Sequence, residues 1–293
     1  MIVVSGAGGR LGGMVADNLA ALGLADKVVL TTRDPERLAA RAAQGFTLRR
    51  ADFAQPEGLG AAFAEADALL LISATGPTER RIALHRAAFD AARDAQVGRI
   101  VYTSRVNPVT DSLYPYAPIH VFSEAYLQQL RIPWTIARNN EYAENLAPAV
   151  EPVLAGEPIM VPGNRGAIPW IAASDIAEIL AKLLAEDGHQ GRIYELNGAR
   201  SFTRIEIAAL VADISGREVD ISASREDYVE YIRSRGMPDY VVAMVDGMYQ
   251  ATDAGEFATV HPDAETLLGR PPVPLEKFLP PLLQQAGTRR PSM

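Results

Sequence analysis

Two side chains able to hold or donate a proton stand four residues apart near the middle of the chain. His120 and Glu124 lie in a segment with helical spacing, so they share one face of a helix predicted over residues 120–130. An imidazole can donate a proton near neutral pH, and a carboxylate can orient it or hold ligand hydroxyls. We expect His120 to act on a substrate and Glu124 to contact a bound cofactor. The alternative is an ordinary histidine at a helix start with a surface ion contact.

A glycine-rich turn lies at the start of the chain, between a predicted strand and a predicted helix. The strand is Ile2–Val4, and the turn reads Gly6-Ala7-Gly8-Gly9-Arg10-Leu11-Gly12. Gly6 allows a tight turn, Gly9 leaves room for a pyrophosphate, and Gly12 lets the helix pack close to the sheet. The N–H groups and the dipole of the helix start favour a phosphate. The residues predicted to bind a dinucleotide here are Gly6, Gly8, Gly9, Arg10, Leu11 and Gly12.

The end of the second predicted strand indicates which dinucleotide is bound. An acid at this position holds the 2′-hydroxyl of NAD, whereas an arginine accommodates the 2′-phosphate of NADP. The strand Val28–Leu30 is followed by Thr31-Thr32-Arg33, and Asp34 comes next as the expected cap of a helix. Arg10 can supply a second positive contact. We therefore expect NADP(H) rather than NAD(H); the alternative is that Arg33 is an ordinary surface residue.

Composition argues against several classes of protein. The chain has 293 residues, no cysteine and a net charge of −8 at pH 7. The absence of cysteine excludes disulfides and thiolate chemistry, and the acidic balance argues against a broad nucleic-acid surface. No apolar run approaches the length of a membrane span, and the N-terminus reads as a core strand rather than a signal segment. We expect a cytoplasmic protein with no metal site, no nucleic-acid partner and no membrane contact.

Alternating strands and helices supply the frame that positions these residues. Apolar runs predict four further strands at residues 46–49, 68–72, 99–103 and 133–138. The run 68–72 is continuously apolar, as expected for a strand buried on both faces of a parallel sheet. We predict an α/β fold, in which a Rossmann doubly wound parallel sheet with helices on both faces spans residues 1–146.

A smaller C-terminal α/β substrate lobe is predicted over residues 147–293, with part of it rejoining the sheet. Within it we predict strands at residues 192–196 and 218–221, and a helix opened by the capping box Thr203-x-x-Glu206. The helices of this lobe have apolar faces that would allow a homodimer.

Residues that follow each strand are expected to line the cofactor, because ligands of doubly wound sheets lie beyond the carboxyl ends of the strands. Asp52 and Phe53 follow the third strand and are expected to hold and cover the adenine; a plain loop is the alternative. The other residues predicted to contact the cofactor in this way are Ser73, Ala74, Thr103 and Ser104.

The chain lacks the Tyr-x-x-x-Lys pair of most short-chain dehydrogenases, in which the lysine lowers the pKa of a tyrosine that acts as acid and base. Its only lysines are Lys27, Lys182 and Lys277, and none follows a tyrosine by four. The segment from His120 to Glu124 stands where that pair belongs. Another histidine, His85, lies on a long predicted helix and is expected at the surface or in packing.

The ordered set of motifs resembles the NmrA-like atypical short-chain dehydrogenase/reductase family, in particular its bacterial members that reduce quinones and triphenylmethane dyes. The motifs are the glycine turn, Arg33-Asp34-Pro35, Tyr102-Thr103-Ser104, His120-x-x-x-Glu124, Arg138-Asn139-Asn140-Glu141-Tyr142, Ser174-Asp175-Ile176-Ala177 and Tyr194-Glu195-Leu196-Asn197-Gly198. The resemblance covers nearly the whole chain. It implies NADPH-dependent hydride transfer, without a Tyr-Lys pair, to a quinone or another conjugated, electron-poor aromatic compound.

The resemblance also implies roles for individual residues. His120, Asn140 and Tyr142 are expected to orient or protonate the substrate, and Asn139 is expected to contact the cofactor. Such acceptors delocalise the incoming charge, so positioning and a water-poor pocket matter more than a strong acid. Two alternatives stay open. One is an NmrA-type protein that senses NADP(H) and regulates a partner without turnover; the other is a reductase of an aromatic ether, a lignan or an enone.

Overall fold

The computed structural model describes residues 1–161 and 165–288 and confirms the predicted α/β fold. The chain forms two compact units. The first consists of Met1–Pro108, Pro118–Asn139 and Ser174–Glu195, and the second of Val109–Ala117, Asn140–Ala173 and the described residues from Leu196 onward. The predicted lobe boundary at residue 146 lies inside the second unit. Residues 162–164 and 289–293 of the predicted lobe lie outside the described residues.

Nine strands are present in the described residues. They are β1 Ile2–Val4, β2 Val28–Thr32, β3 Thr47–Arg50, β4 Ala68–Leu71, β5 Ile100–Arg105, β6 Trp134–Asn139, β7 Ala167–Ile168, β8 Arg192–Leu196 and β9 Phe202–Thr203. Seven of them form one sheet in the order β3-β2-β1-β4-β5-β6-β8, with parallel pairing from β3 through to β6. The strand order reverses between β1 and β4, and open α/β sheets bind ligands at such a switch point.

Helices connect these strands, and several begin or end with short 3₁₀ turns. The α-helices are α1 Arg10–Ala21, α2 Ala39–Ala42, α3 Leu59–Phe63, α4 Thr78–Asp94, α5 Ala117–Gln129, α6 Ala147–Val150, α7 Ala173–Ala185, α8 Arg204–Ser215, α9 Arg225–Ser234, α10 Asp239–Asp253, α11 Asp263–Leu268 and α12 Leu275–Thr288. The 3₁₀ turns are Ala25–Lys27, Pro35–Leu38, Pro56–Gly58, Ala143–Leu146 and Glu151–Ala155. None of the described helices is long and apolar enough to cross a membrane.

One face of the large sheet forms the buried apolar cluster that surrounds Tyr102. Side chains alternate between the two faces of a strand, and register pairs Val3 with Leu69, Leu69 with Ile100, and Tyr102 with Ile136. These five side chains therefore share a face, and they belong to one buried cluster. The helices covering this face contribute Phe63 from α3, Phe89 from α4 and Leu127 from α5. Helices α4 and α5 are thus the elements that bring polar groups to Tyr102.

The second unit contains a small antiparallel sheet, in which β7 pairs with β9. The predicted capping box is present, because the Thr203 side chain accepts from the Glu206 N–H while the Glu206 carboxylate accepts from the Thr203 N–H. The predicted strand at residues 218–221 is wrong. Val219 and Ile221 would share one face of such a strand, but Val219 is only half-buried and Ile221 is exposed, so that face packs against no core.

Candidate functional site

The glycine turn forms a cradle at the N-terminus of α1. Gly6 has a φ of +64°, and its carbonyl accepts a hydrogen bond of 2.9 Å from the Gly9 N–H. Helix α1 begins at Arg10, and Gly9 offers no side chain to cap the first turn. The N–H groups of a first turn have no partner within their own helix, and they attract an anionic group. The turn therefore fits a bound phosphate.

Close backbone packing explains why the turn requires glycine. A Cβ atom at Gly12 would lie 2.5 Å from the Gly6 carbonyl oxygen and 2.8 Å from the Ala7 Cα. A Cβ atom at Gly8 would lie 3.0 Å from the Thr32 hydroxyl at the end of β2. The turn, β2 and α1 thus approach one another at distances that larger residues cannot reach, as the phosphate-binding turn of a dinucleotide fold requires.

Two exposed arginines are the candidate cationic partners of a phosphate: Arg10 lies in the turn itself, and Arg33 follows β2. Within the described part of the chain, neither Arg10 nor Arg33 makes an ion pair, so both guanidinium groups can meet a phosphate. Asp34 instead pairs with Arg37 at 3.1 Å. Asp34 precedes the 3₁₀ turn that begins at Pro35, as predicted, but its side chain makes no capping hydrogen bond.

The residues that follow β4 are held by the neighbouring strand and by α4. The Ser73 N–H donates to the Thr103 hydroxyl at 2.9 Å, and the Arg81 guanidinium donates to the Ser73 hydroxyl at 2.8 Å. The Ala74 N–H donates to Nε2 of His85 at 2.9 Å. Ser73, Ala74 and Thr103, all predicted at the cofactor, therefore lie together at the carboxyl end of the sheet.

The two residues predicted around the adenine have local packing roles. The half-buried Phe53 packs against the apolar cluster of the large sheet. The Asp52 carboxylate accepts a hydrogen bond of 3.0 Å from the Ala54 N–H, which fixes the loop after β3. Their contact with the adenine stays a prediction.

Two histidines and a tyrosine form a buried polar cluster between the sheet, α4 and α5. The Tyr102 hydroxyl lies 3.2 Å from Nδ1 of His120 and 3.4 Å from Nδ1 of His85. Tyr102 and His85 are fully buried, and His120 is 5% exposed. Of the two places expected for His85, the surface or the packed interior, the structure shows the interior. His120 makes this one hydrogen bond within the described residues, so its Nε2 has no protein partner there.

Burial keeps these three groups uncharged. It lowers the pKa of His85 to about 3, and the nearby charge of Arg81 adds to this effect. Burial also lowers the pKa of His120 well below its usual value, with contributions from Arg81, His85 and Arg105. Burial raises the pKa of Tyr102 above its usual value. Near neutral pH the cluster consists of two neutral imidazoles and a neutral phenol.

Glu124 lies on the same helix as His120 but has different partners. Its two carboxylate oxygens accept hydrogen bonds from Arg138 at 2.9 and 2.6 Å, and one of them also accepts from the Ser104 hydroxyl at 2.5 Å. Arg138 also donates to Glu195 at 2.8 Å. Burial lowers the pKa of Arg138, but the hydrogen bonds and charges of the two glutamates outweigh it and raise that pKa. A cofactor contact of Glu124 and Ser104 stays a prediction.

Asn140 and Tyr142 belong to the second unit, whereas His120 and Asn139 belong to the first. The Asn140 amide donates to the Phe257 carbonyl at 3.0 Å, and its oxygen accepts from the Glu141 N–H at 2.8 Å. Tyr142 is half-buried and forms a parallel bridge with Ile171. Asn139 is buried at the end of β6. Roles of these residues toward substrate and cofactor stay predictions.

Neither His85 nor Tyr102 was predicted as a site residue, although sequence patterns signal that both are buried. His85, Ala88, Phe89 and Ala92 recur at the spacing of one helix face, and all four are fully buried. The strand alternation of β5 likewise places Tyr102 on the same face as Ile100. The patterns do not reveal that His85 on α4 and His120 on α5 both lie next to the Tyr102 hydroxyl.

The fold and the glycine turn are those of a dinucleotide-binding protein. Residues 6–187 match the NAD(P)H-binding family, and the chain belongs to that family. It is 32% identical over 259 residues to quinone oxidoreductase 2 of Escherichia coli strain K12, covering 88% of this chain and 90% of the relative.

Two solved structures show the same similarity in three dimensions. The NADPH-dependent quinone oxidoreductase of Escherichia coli in complex with NADPH has a TM-score of 0.87 and 29% identity, covering 98% of this chain and 99% of that chain. The triphenylmethane reductase of Citrobacter in complex with NADP(H) has a TM-score of 0.84 and 29% identity, with 97% and 99% coverage. The predictions of an NAD(P)H-dependent reductase and of NADP(H) as its cofactor are confirmed.

Proposed function

We propose that the chain uses NADPH to reduce a quinone or another conjugated, electron-poor aromatic compound. The observation that carries this proposal is the buried, neutral His120 in the helix where a Tyr-Lys pair would stand. A neutral imidazole is a weak acid, so the acceptor must itself delocalise the charge that it receives. The similarity to a quinone oxidoreductase and to a triphenylmethane reductase supports this choice of acceptor.

The residues of the first unit suit the cofactor. The first-turn N–H groups of α1 would hold the pyrophosphate, and Arg33 with Arg10 would meet the 2′-phosphate. NADPH, when bound, supplies a hydride. Ser73, Ala74 and Thr103 would line the cofactor at the carboxyl ends of the strands, with Asn139 beside them.

The acceptor gains two electrons and one proton from the hydride, and a second proton from solvent completes a hydroquinone. Negative charge collects on the acceptor oxygen before that proton arrives. A hydrogen bond from His120 would stabilise this charge without creating an imidazolium. The predicted homodimer and the cytoplasmic location stay predictions from sequence.

Turnover tests the proposal directly. The nicotinamide absorbance is followed with NADPH, and then with NADH, in the presence of benzoquinone, a naphthoquinone or a triphenylmethane dye. We expect oxidation that is faster with NADPH than with NADH. Tight NADPH binding without turnover on any of these acceptors would contradict the proposal and favour the regulatory alternative.

The role of His120 gives a sharper prediction. His120→Ala is expected to lower kcat/KM for the quinone by roughly tenfold to a hundredfold, the effect of losing one hydrogen bond to a charged group. The affinity for NADPH should stay unchanged. His261→Ala is the matched control, since this histidine is exposed in the second unit. Equal activity of the two variants would show that His120 does not contact the acceptor.

Arg33 is expected to decide the choice of cofactor. Arg33→Ser should raise the Kd of NADPH by roughly tenfold to a hundredfold, because a charge-assisted contact with the 2′-phosphate is lost, and should leave the Kd of NADH unchanged. Binding is measured by nicotinamide fluorescence or calorimetry. The matched control is Arg37→Ser in the same exposed loop, which should change neither constant. An equal loss of affinity for NADPH and NADH would show that Arg33 does not contact the 2′-phosphate.

A further inference from the structure

A continuous chain of hydrogen bonds leads from the end of β4 through the interior of the first unit to His120. It begins at the Ala74 N–H, which meets Nε2 of His85 at 2.9 Å. Nδ1 of the same ring lies 2.8 Å from the Ser123 hydroxyl and 3.4 Å from the Tyr102 hydroxyl. The Tyr102 hydroxyl in turn lies 3.2 Å from Nδ1 of His120. Neither His85 nor Tyr102 has a place in the function proposed above.

The partners of His85 determine where its proton lies. An amide N–H can only donate, so Nε2 of His85 must accept from Ala74 and carry no proton. The Ser123 hydroxyl donates its single proton to the Ile119 carbonyl at 2.7 Å, so it must accept at its contact with the imidazole. Nδ1 of His85 is therefore the protonated nitrogen. Both ring nitrogens therefore have a fixed partner, the half-buried Ala74 N–H on one side and the fully buried Ser123 hydroxyl on the other.

The proton on His85 fixes the direction of the next hydrogen bond. The Tyr102 hydroxyl faces a protonated Nδ1 of His85, so it cannot donate there. The Ser73 and Ser123 hydroxyls also influence this hydroxyl, but its other hydrogen bond, of 3.2 Å, joins it to Nδ1 of His120, which we assign as the acceptor. A neutral imidazole has one protonated nitrogen, so the proton of His120 lies on Nε2. This is the nitrogen that makes no hydrogen bond with the described residues.

We propose that His85 and Tyr102 are positioning residues that fix His120 in the tautomer with its proton on Nε2. The ring then presents a donor, rather than a lone pair, to the oxygen of the acceptor. The wrong tautomer would repel an oxygen that gains negative charge during reduction. The use of this donor rests on the proposed function, whereas the tautomer itself does not. Burial and the charges of Arg81 and Arg105 support the arrangement by keeping the ring neutral.

The tautomers can be read without any turnover. The full-length protein with ¹⁵N-labelled histidine is studied by long-range ¹H–¹⁵N correlation spectra, which distinguish a protonated from an unprotonated ring nitrogen. The four histidines are assigned by replacing His120, His189 and His261, in turn, with glutamine, which leaves His85 as the fourth. We expect an Nδ1–H tautomer for His85 and an Nε2–H tautomer for His120. An Nδ1–H tautomer for His120 in the unmodified protein would overturn the proposal.

Tyr102→Phe removes the hydroxyl while keeping the ring in the core. We expect His120 to change to a mixture of tautomers, and His85 to stay unchanged because Ala74 and Ser123 still hold it. Tyr126→Phe is the matched control on α5, since its hydroxyl donates to Asp90 at 2.8 Å. Unchanged His120 signals in Tyr102→Phe would overturn the proposal.

Activity supplies a second and separate readout. Tyr102→Phe should lower kcat for the quinone several-fold, with the KM for NADPH unchanged, and Tyr126→Phe should leave both constants unchanged. An absence of turnover in the unmodified protein would overturn the proposed function and leave the tautomer result standing. If the unmodified protein shows the expected tautomers but Tyr102→Phe keeps full activity, the positioning role is overturned and the tautomer assignment stands.

Discussion

Gly12→Ala is expected to lower the free energy of unfolding by about 3 kcal/mol, near the upper end for inserting a methyl group into a packed interior. The added Cβ atom would lie 2.5 Å from the Gly6 carbonyl oxygen and 2.8 Å from the Ala7 Cα. Both are backbone atoms, so no side chain can rotate to relieve the overlap. Urea unfolding followed by circular dichroism measures the loss, and NADPH affinity should fall with it because the same contact shapes the phosphate turn.

Gly13→Ala is the matched control, one residue further along α1. A Cβ atom there has its nearest neighbour, the Ala7 carbonyl oxygen, at 3.8 Å, which is an ordinary contact. Alanine inside a helix is favoured over glycine by up to about 1 kcal/mol, so this variant should be more stable than the unmodified protein. The two substitutions are thus expected to change the free energy of unfolding in opposite directions. A similar small effect of both would show that α1 does not pack on the turn as described.

Strong local patterns made the first half of the fold predictable. The turn from Gly6 to Gly12 lies between a β-branched strand and an amphipathic helix, and this order alone indicates a dinucleotide fold. The strand β4 ends within one residue of its prediction, because a continuous apolar run defines it, and β8 has the predicted ends. The predicted strand at residues 218–221 lacked such support, since only Val219 in it is partly buried.

The site was harder to predict, because its partners are far apart in sequence. Spacing correctly indicates that His120 and Glu124 share a helix, and it suggests that they act together. In the folded chain, His120 instead bonds to Tyr102 on β5, and Glu124 bonds to Arg138 on β6. An i,i+4 rule describes one helix only and says nothing about which strand lies beneath it. The tautomer of His120 depends on partners that only the packing of α4 and α5 reveals.

Arg138→Met is expected to lower the free energy of unfolding by about 3–5 kcal/mol, the cost of leaving a buried charge without its partner. The substitution leaves the Glu124 carboxylate, which is 7% exposed, with only the Ser104 hydroxyl among the contacts described above. It also leaves Glu195 without its 2.8 Å contact. The control is Arg93→Met, which removes an exposed ion pair with Asp90 and Asp94 and should cost far less stability, because solvent screens that pair.

A double-mutant cycle identifies the source of that loss. Glu124→Gln removes the charge while keeping the shape and the hydrogen bond with Ser104, so the double variant Arg138→Met, Glu124→Gln should recover at least half of the stability lost in Arg138→Met. Additive losses would show that Arg138 acts by packing and not by neutralising Glu124. The NADPH affinity of Glu124→Gln decides the remaining question. A higher Kd for NADPH in a stably folded variant would show that this carboxylate also contacts the cofactor. An unchanged Kd would show that its only role is to hold β6 against α5.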